Sequence, residues 1–304
     1  MRSGEWGVRS WLRAARPRTV LLSFSGVLMG GSMAFATTEK PNLMALVFCA
    51  ITAMALQILS NLANDYGDYR KGADDEGRVG PQRVLQSGLM TESQMRKSIV
   101  AMAMASLLSG ALLIFVFARL TWQELAVFGA LGLLSVLAAL LYTLGRHPYG
   151  YHGLGDLFCF LFFGWAAVFG TYYLATKNLD FTVLLPASAM GFLSVAVLNI
   201  NNMRDYENDR AKGKTTLVVI LGLKNAFRYH VVLIVGAFAC LTAFLSLKHV
   251  PWWSYAFWLL FPLFAKDLIT LRKSFESGCP DYLLPKQVIK TFLLTLVFGI
   301  MLLI

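Results

Sequence analysis

Residues 61–88, NLANDYGDYRKGADDEGRVGPQRVLQSG, set Asn61, Asn64, Asp65, Asp68, Asp74 and Asp75 at the end of an apolar run, 43–62, that carries no charge. If that run is one helix, Asn61, Asn64 and Asp68 fall at i, i+3 and i+7 on one face, with Asp65 beside them. Residues 199–222, NINNMRDYENDRAKGKTTLVVILG, follow a second apolar run, 183–198. There Asn201, Asp205 and Asp209 step at i, i+4 and i+8, which predicts a single helical face. Asn64 and Asp68 have the spacing of Asn201 and Asp205, so one device occurs twice.

Clustered Asp and Asn oxygens suit hard cations. Mg²⁺ takes one or two carboxylates and fills its shell with water and substrate phosphate oxygens. Two such faces opposed across a bundle would hold Mg²⁺ against a pyrophosphate, and Arg and Lys from the adjoining loops would take the remaining oxygens. That makes pyrophosphate a good leaving group, because the charge it gathers as its bond breaks is stabilised. The allylic carbocation left behind needs a dry pocket with aromatic faces. Two other readings compete. The acids could merely pair with interfacial Lys and Arg, or they could carry ions in a transporter. Repetition at two helix ends argues against the first. Clustering at helix ends on one face, rather than at the midplane, argues against the second.

These faces are carried by a membrane protein. Of 304 residues, 57% are apolar and 14% charged, which predicts a polytopic all-α bundle rather than a soluble domain. Nine spans are expected, over 19–36, 43–66, 98–118, 123–144, 154–175, 182–203, 229–247, 252–271 and 286–304. Four of the 27 Lys and Arg (Lys40, Arg119, Lys177 and Lys248) fall on one side if the spans alternate. The other side therefore holds the N-terminus and faces the cytoplasm, and the C-terminus lies opposite. The net charge of +10 is then topological and needs no nucleic acid. Asp and Glu crowd the same side, which topology does not require. No cleavable signal is apparent, and residues 1–18, with five Arg and two Trp, read as an interfacial segment.

Between spans four and five, YTLGRHPYGYHGLGD (142–156) packs three tyrosines, His147, His152 and Asp156 into a Gly-broken stretch. The histidines lack the partner set of a zinc site. Span five is rich in Phe and Trp, a packing or lipid-facing surface from which some rings could wall a cavity. Cys49, Cys159, Cys240 and Cys279 form no CxxC pair and read as small buried hydrophobes.

The whole pattern resembles the UbiA-type intramembrane aromatic prenyltransferases, which pair Asn-Asp-x-x-Asp-x-x-x-Asp with a later Asp-x-x-x-Asp. Asn64, Asp65 and Asp68 match the first motif, and Asp205 and Asp209 the second. Gly72 stands where a fourth Asp is usual, and Asp74 is its natural substitute. The ARPRT, GPQRVLQSG, PYGYHGLGD and NNMRDYENDRAKGKTTL stretches are similar to the 1,4-dihydroxy-2-naphthoate (MenA-type) branch. The resemblance implies a nine-helix bundle around a central cavity, Mg²⁺ dependence, a polyprenyl diphosphate donor and a 1,4-dihydroxy-2-naphthoate acceptor. The product would be demethylmenaquinol, made at the bacterial inner membrane. A different aromatic acceptor, 4-hydroxybenzoate or homogentisate, is the alternative.

By the same resemblance, Asn64, Asp68, Asp205 and Asp209 are the catalytic metal–pyrophosphate set, with Asp65, Asp74 and Asn201 among the metal ligands. Arg78, Arg83, Lys212 and Lys214 are diphosphate contacts, and Tyr142, Arg146, Tyr149 and Asp156 face the acceptor. The chain is expected to be one membrane domain over 1–304, with active-site loops over 67–97 and 204–228. For Asp74 to replace the missing acid, the helix must stop near residues 71–72, because an unbroken helix puts residue 74 about 200° round from residue 72.

Overall fold

A computed structural model describes residues 7–72, 82–118, 120–274, 279 and 281–304. A short helix, α1 (Val8–Ala15), comes first. Among the described residues, nine helices are long and apolar enough to cross a membrane: α2 (Pro17–Thr37), α3 (Leu43–Arg70), α4 (Glu92–Phe117), α5 (Trp122–Leu141), α6 (Gly155–Thr176), α7 (Phe181–Arg204), α9 (Leu217–Leu247), α10 (Trp252–Lys273) and α11 (Leu283–Leu303). Between the sixth and seventh spans sits α8 (Tyr206–Ala211).

Local chemistry sets the boundaries. Pro17 occupies the first turn of α2, where its missing N–H costs nothing. Reciprocal capping boxes, Thr91 with Gln94 and Thr121 with Glu124, start α4 and α5. Ahead of the seventh span, Thr216 caps a first turn at Leu217, accepting from the Val219 N–H at 3.3 Å, and Gly222 (φ 73, ψ 156) breaks it before the span itself resumes at Leu223, six residues before the expected 229. Lys224, Asn225 and Arg228, which the sequence presents as loop, form its exposed face, while Ala226 and His230 are buried.

The helix bearing the first acidic face ends where expected. Arg70 is its last residue, the Gly72 N–H returns to the Tyr69 carbonyl at 3.1 Å, and Gly72 has φ +65. A side chain at residue 72 would be strained in that turn. Asp74, Asp75 and Arg78 lie outside the described residues.

The second acidic face departs from expectation. Asn201, Asp205 and Asp209 are not on one unbroken helix: α7 stops at Arg204, Asp205 has φ −91 and ψ 10, and α8 restarts at Tyr206. Neighbours i and i+1 do not face each other on a regular helix. The Arg204 guanidinium nevertheless grips both oxygens of Asp205, at 2.9 and 2.7 Å, and the break brings them together. Backbone bonds from Asp205 to Asn201 (3.1 Å) and from Asp209 to Asp205 (2.8 Å) keep the three residues in sequence across the break.

Helices α2 and α7 are the innermost, each 61% buried over its apolar window, and α5 is the outermost at 11%. The backbones of α2 and α6 nearly touch: a Cβ on Gly30 would stand 2.4 Å from the Val168 carbonyl oxygen. Small residues allow such approach where lipid offers no hydrophobic drive. One apolar core, with Met33, Tyr172, Met190, Phe238 and Phe298, joins α2, α6, α7, α9 and α11. A second, with Leu59, Leu62, Met95 and Val136, joins α3, α4 and α5. Between these halves runs a cavity of about 510 Å³.

Candidate active site

The polar end of the cavity is built from the two acidic passages. Asn64 and Asp68, on the last turns of α3, line it together with Asn201 of α7 and Lys214. Asp68 is 7% exposed; its Oδ1 accepts from the Tyr151 hydroxyl at 2.8 Å and its Oδ2 lies 3.5 Å from Lys214 Nζ. The same ammonium lies 3.7 Å from Asp209 Oδ1. A carboxylate from each half of the chain thus converges on one cation.

Burial pushes the Asp209 carboxyl up to about 7; Lys214 opposes the rise, and Asp205 and Asp68 add to it. Its second oxygen is buried without a hydrogen-bond partner. A buried, unpaired carboxylate oxygen beside other acids is costly and calls for a cation. Among the described residues, no three His, Cys, Asp or Glu are gathered closely enough to cage a metal alone. Two carboxylates, Asp68 and Asp209, flanked by the Asn64 and Asn201 amides are instead the incomplete oxygen set that Mg²⁺ accepts when phosphate oxygens complete it. The donor set fits the ion.

The other predicted site residues divide sharply. Asp65, 2% exposed, does not line the cavity and pairs with Arg16 and, at 3.3 Å, with Arg83. Asp205 is held by Arg204, which also reaches Asn201 Oδ1 at 3.0 Å and Asp281 at 3.0 Å. Arg16 and Arg83 line the cavity. Lys212 and Arg146 are exposed and do not line it. Asn61 is buried and does not line the cavity, donating to the Ala15 carbonyl at 2.8 Å and to Thr19 Oγ1 at 2.9 Å.

On the far wall, Tyr142 and Tyr149 meet edge to face at 5.3 Å, and Tyr149 packs on Phe158 at 4.3 Å. All three line the cavity, along with Phe128, Phe162 and Phe163. Of the span-five rings, Phe158, Phe162 and Phe163 wall the cavity, whereas Phe160 packs on Phe192 and Trp165 is exposed and bonds Ser188. Asp156 is buried, hydrogen-bonded to Tyr229, and has one oxygen unpartnered.

Three contributors escaped the sequence: Tyr151 on Asp68, Arg16 on Asp65, and Tyr229 on Asp156. Each reaches across more than forty residues of chain, and no spacing rule could have found them. Asp65 is expected to serve the fold. Its replacement by alanine removes the carboxylate that Arg16 and Arg83 share and costs about 2–3 kcal/mol, less than a dry pair would because Arg16 is 22% exposed. Thermal unfolding in detergent checks this, with the Mg²⁺ concentration for half-maximal turnover expected to stay unchanged.

The model of the UbiA prenyltransferase family matches residues 23–277. The chain is 40% identical over 298 residues to the 1,4-dihydroxy-2-naphthoate octaprenyltransferase of Haemophilus influenzae, covering 98% of this chain and 96% of that one. To the protein of the same description from Escherichia coli it is 41% identical, covering 95% and 94%. Its fold matches a UbiA homologue from Archaeoglobus fulgidus, solved with DMAPP and Mg²⁺, at a TM-score of 0.64 and 15% identity over 97% of this chain and 99% of that one. With that family model matching most of its length and relatives at about 40% identity over nearly all of it, the chain belongs to the UbiA prenyltransferase family.

Proposed function

We propose that this protein transfers a polyprenyl group from polyprenyl diphosphate to 1,4-dihydroxy-2-naphthoate, releasing CO₂ and diphosphate and giving demethylmenaquinol for menaquinone. The observation that carries the reading is the meeting of Asp68 and Asp209 across Lys214 at the polar end of an otherwise apolar cavity. Kinship to curated enzymes named for this acceptor, at about 40% identity over nearly the whole chain, selects it among aromatic rings. The chain acts as a single membrane domain, N-terminus and active-site loops in the cytoplasm, C-terminus opposite, in the inner membrane.

Asn64, Asp68, Asn201 and Asp209 would hold Mg²⁺, with Asp205 and Asp74 supporting; the ion supplies charge neutralisation for the departing diphosphate. Lys214 and Arg83 line the cavity and take diphosphate oxygens, joined by Arg78 from the first loop. As the allylic C–O bond breaks, its electron pair leaves with diphosphate. The rings of Tyr142, Tyr149, Phe158 and Phe162 present π faces to the cation and keep water away. The acceptor carbon bearing the carboxylate forms the new C–C bond. Loss of that carboxylate as CO₂ returns its bonding pair to the ring and restores aromaticity. Asp156, buried beside the lining Gly155 and bonded to Tyr229, would act on the acceptor side through the Tyr142–Tyr149 wall.

The test is purified protein given Mg²⁺, octaprenyl diphosphate and each acceptor separately. Prenylated, decarboxylated product is expected from 1,4-dihydroxy-2-naphthoate. Preference for 4-hydroxybenzoate or homogentisate moves the protein to another branch of the family, and no transfer to any ring defeats the proposal.

A further inference from the structure

The helical face that carries Asn64 and Asp68 does not end at the carboxylate. Lys71 is the C-cap of α3, so Asn64, Asp68 and Lys71 fall at i, i+4 and i+7. Its neighbour Arg70 turns instead to Glu92, at 3.5 Å. The Lys71 ammonium lies over the Tyr151 ring, 4.3 Å from its centroid, and the Lys214 ammonium lies 5.3 Å from the same centroid. Tyr151 is 9% exposed, and its hydroxyl donates to Asp68. One side chain thus holds the acid by its hydroxyl and two cations by its ring.

Two ammoniums gathered on one ring repel each other. Desolvation lowers the Lys71 pKa and Lys214 lowers it further, while Asp68 opposes the fall. A lysine with only solvent to satisfy would extend its charged head into water, away from Lys214. An anion of several charges beside Asp68 relieves the repulsion. On the prenyl-transfer reading, on which this inference rests, diphosphate is that anion.

We propose that Lys71 is a further diphosphate-binding residue, and that the Tyr151 ring positions it together with Lys214. Lys71 is exposed and does not line the cavity, whereas Lys214 does. It meets the diphosphate from the rim, and Lys214 from the wall.

The experiment titrates inorganic pyrophosphate with Mg²⁺ into the purified protein and follows the heat of binding. Lys71→Met should weaken binding about tenfold, the low end for losing one charge-assisted hydrogen bond. The KM for octaprenyl diphosphate should rise by the same factor with kcat unchanged, as for a contact made equally in the ground and transition states. Lys71→Arg keeps the charge and should bind almost as the unmodified protein does. Thermal unfolding is expected to stay unchanged in both.

The ring is tested by background. Lys71→Met should keep its full effect on top of Tyr151→Phe, which retains the π face, and lose it on top of Tyr151→Leu, which does not. An equal effect in both backgrounds overturns positioning by the ring. Unchanged pyrophosphate affinity in Lys71→Met removes the residue from the site. A fall that Lys71→Arg does not rescue, or one matched by lost stability, does the same. If the unmodified protein neither binds pyrophosphate nor prenylates any ring, the prenyl-transfer reading fails and the inference fails with it.

Discussion

Asp68→Ala is expected to lower kcat/KM for prenyl transfer by about 10²–10³-fold, the loss typical of removing one electrostatic contact to a developing charge. The carboxylate is the only one from the first half of the described chain that lines the cavity, and Tyr151 and Lys214 fix its orientation. The protein should still insert and unfold at close to the usual temperature, because Lys214 keeps Asp209 as a neighbour. Asp209→Ala should cost a similar factor, and the double variant little more than either single one, since the two carboxylates act on one leaving group. Steady-state assays with detergent-purified variants settle the matter; near-normal turnover in either single variant would remove that acid from the machinery. Asp205→Ala is a poorer probe. It strips the fork from a guanidinium only 4% exposed, so lost activity there would be mixed with lost stability.

Exhaustive chelation is expected to abolish turnover, and added Mg²⁺ or Mn²⁺ to restore it. The oxygen-only set of Asn64, Asp68, Asn201 and Asp209 favours hard cations, and no cysteine or histidine lines the site apart from Cys49 and Cys159 deeper in the wall. The four cysteines are unpaired, as their spacing implied, and offer no softer alternative at the polar end. Full activity without metal would return Asp68 and Asp209 to a structural role and reopen the transporter reading.

Much of this could be read from the chain, and the parts that could not share a cause. Hydropathy located the nine candidate spans found among the described residues because each had to satisfy the same apolar thickness. Asn64 and Asp68 were legible because four residues make one helical turn. Gly72 was legible as a helix stop because a missing acid and a turn-forming residue coincide there. The division of labour among the acids was not legible. Asp65 and Asp68 are three residues apart on the same turn of α3, but Arg16 from the α1–α2 junction and Arg83 from beyond the first loop claim Asp65. Likewise the helix break at Asp205 lets its own neighbour Arg204 grip it, a pairing that a regular helical projection excludes. The far wall was found only in part: Tyr142 and Tyr149 line it, while Arg146, three residues before Tyr149, is turned to the surface by the Gly145–Pro148 corner.

One modest contact carries a kinetic consequence. His152 and Thr215 form an isolated parallel bridge, and the Thr215 N–H donates to the Tyr151 carbonyl at 3.2 Å. It stitches the tyrosine-rich connection before α6 to the loop that delivers Lys214. Tyr151 and Lys214 each hold Asp68, so the stitch ties both loops to one carboxylate. Opening of either loop strains the other, and amide exchange in the two loops is expected to quicken together when the stitch is cut.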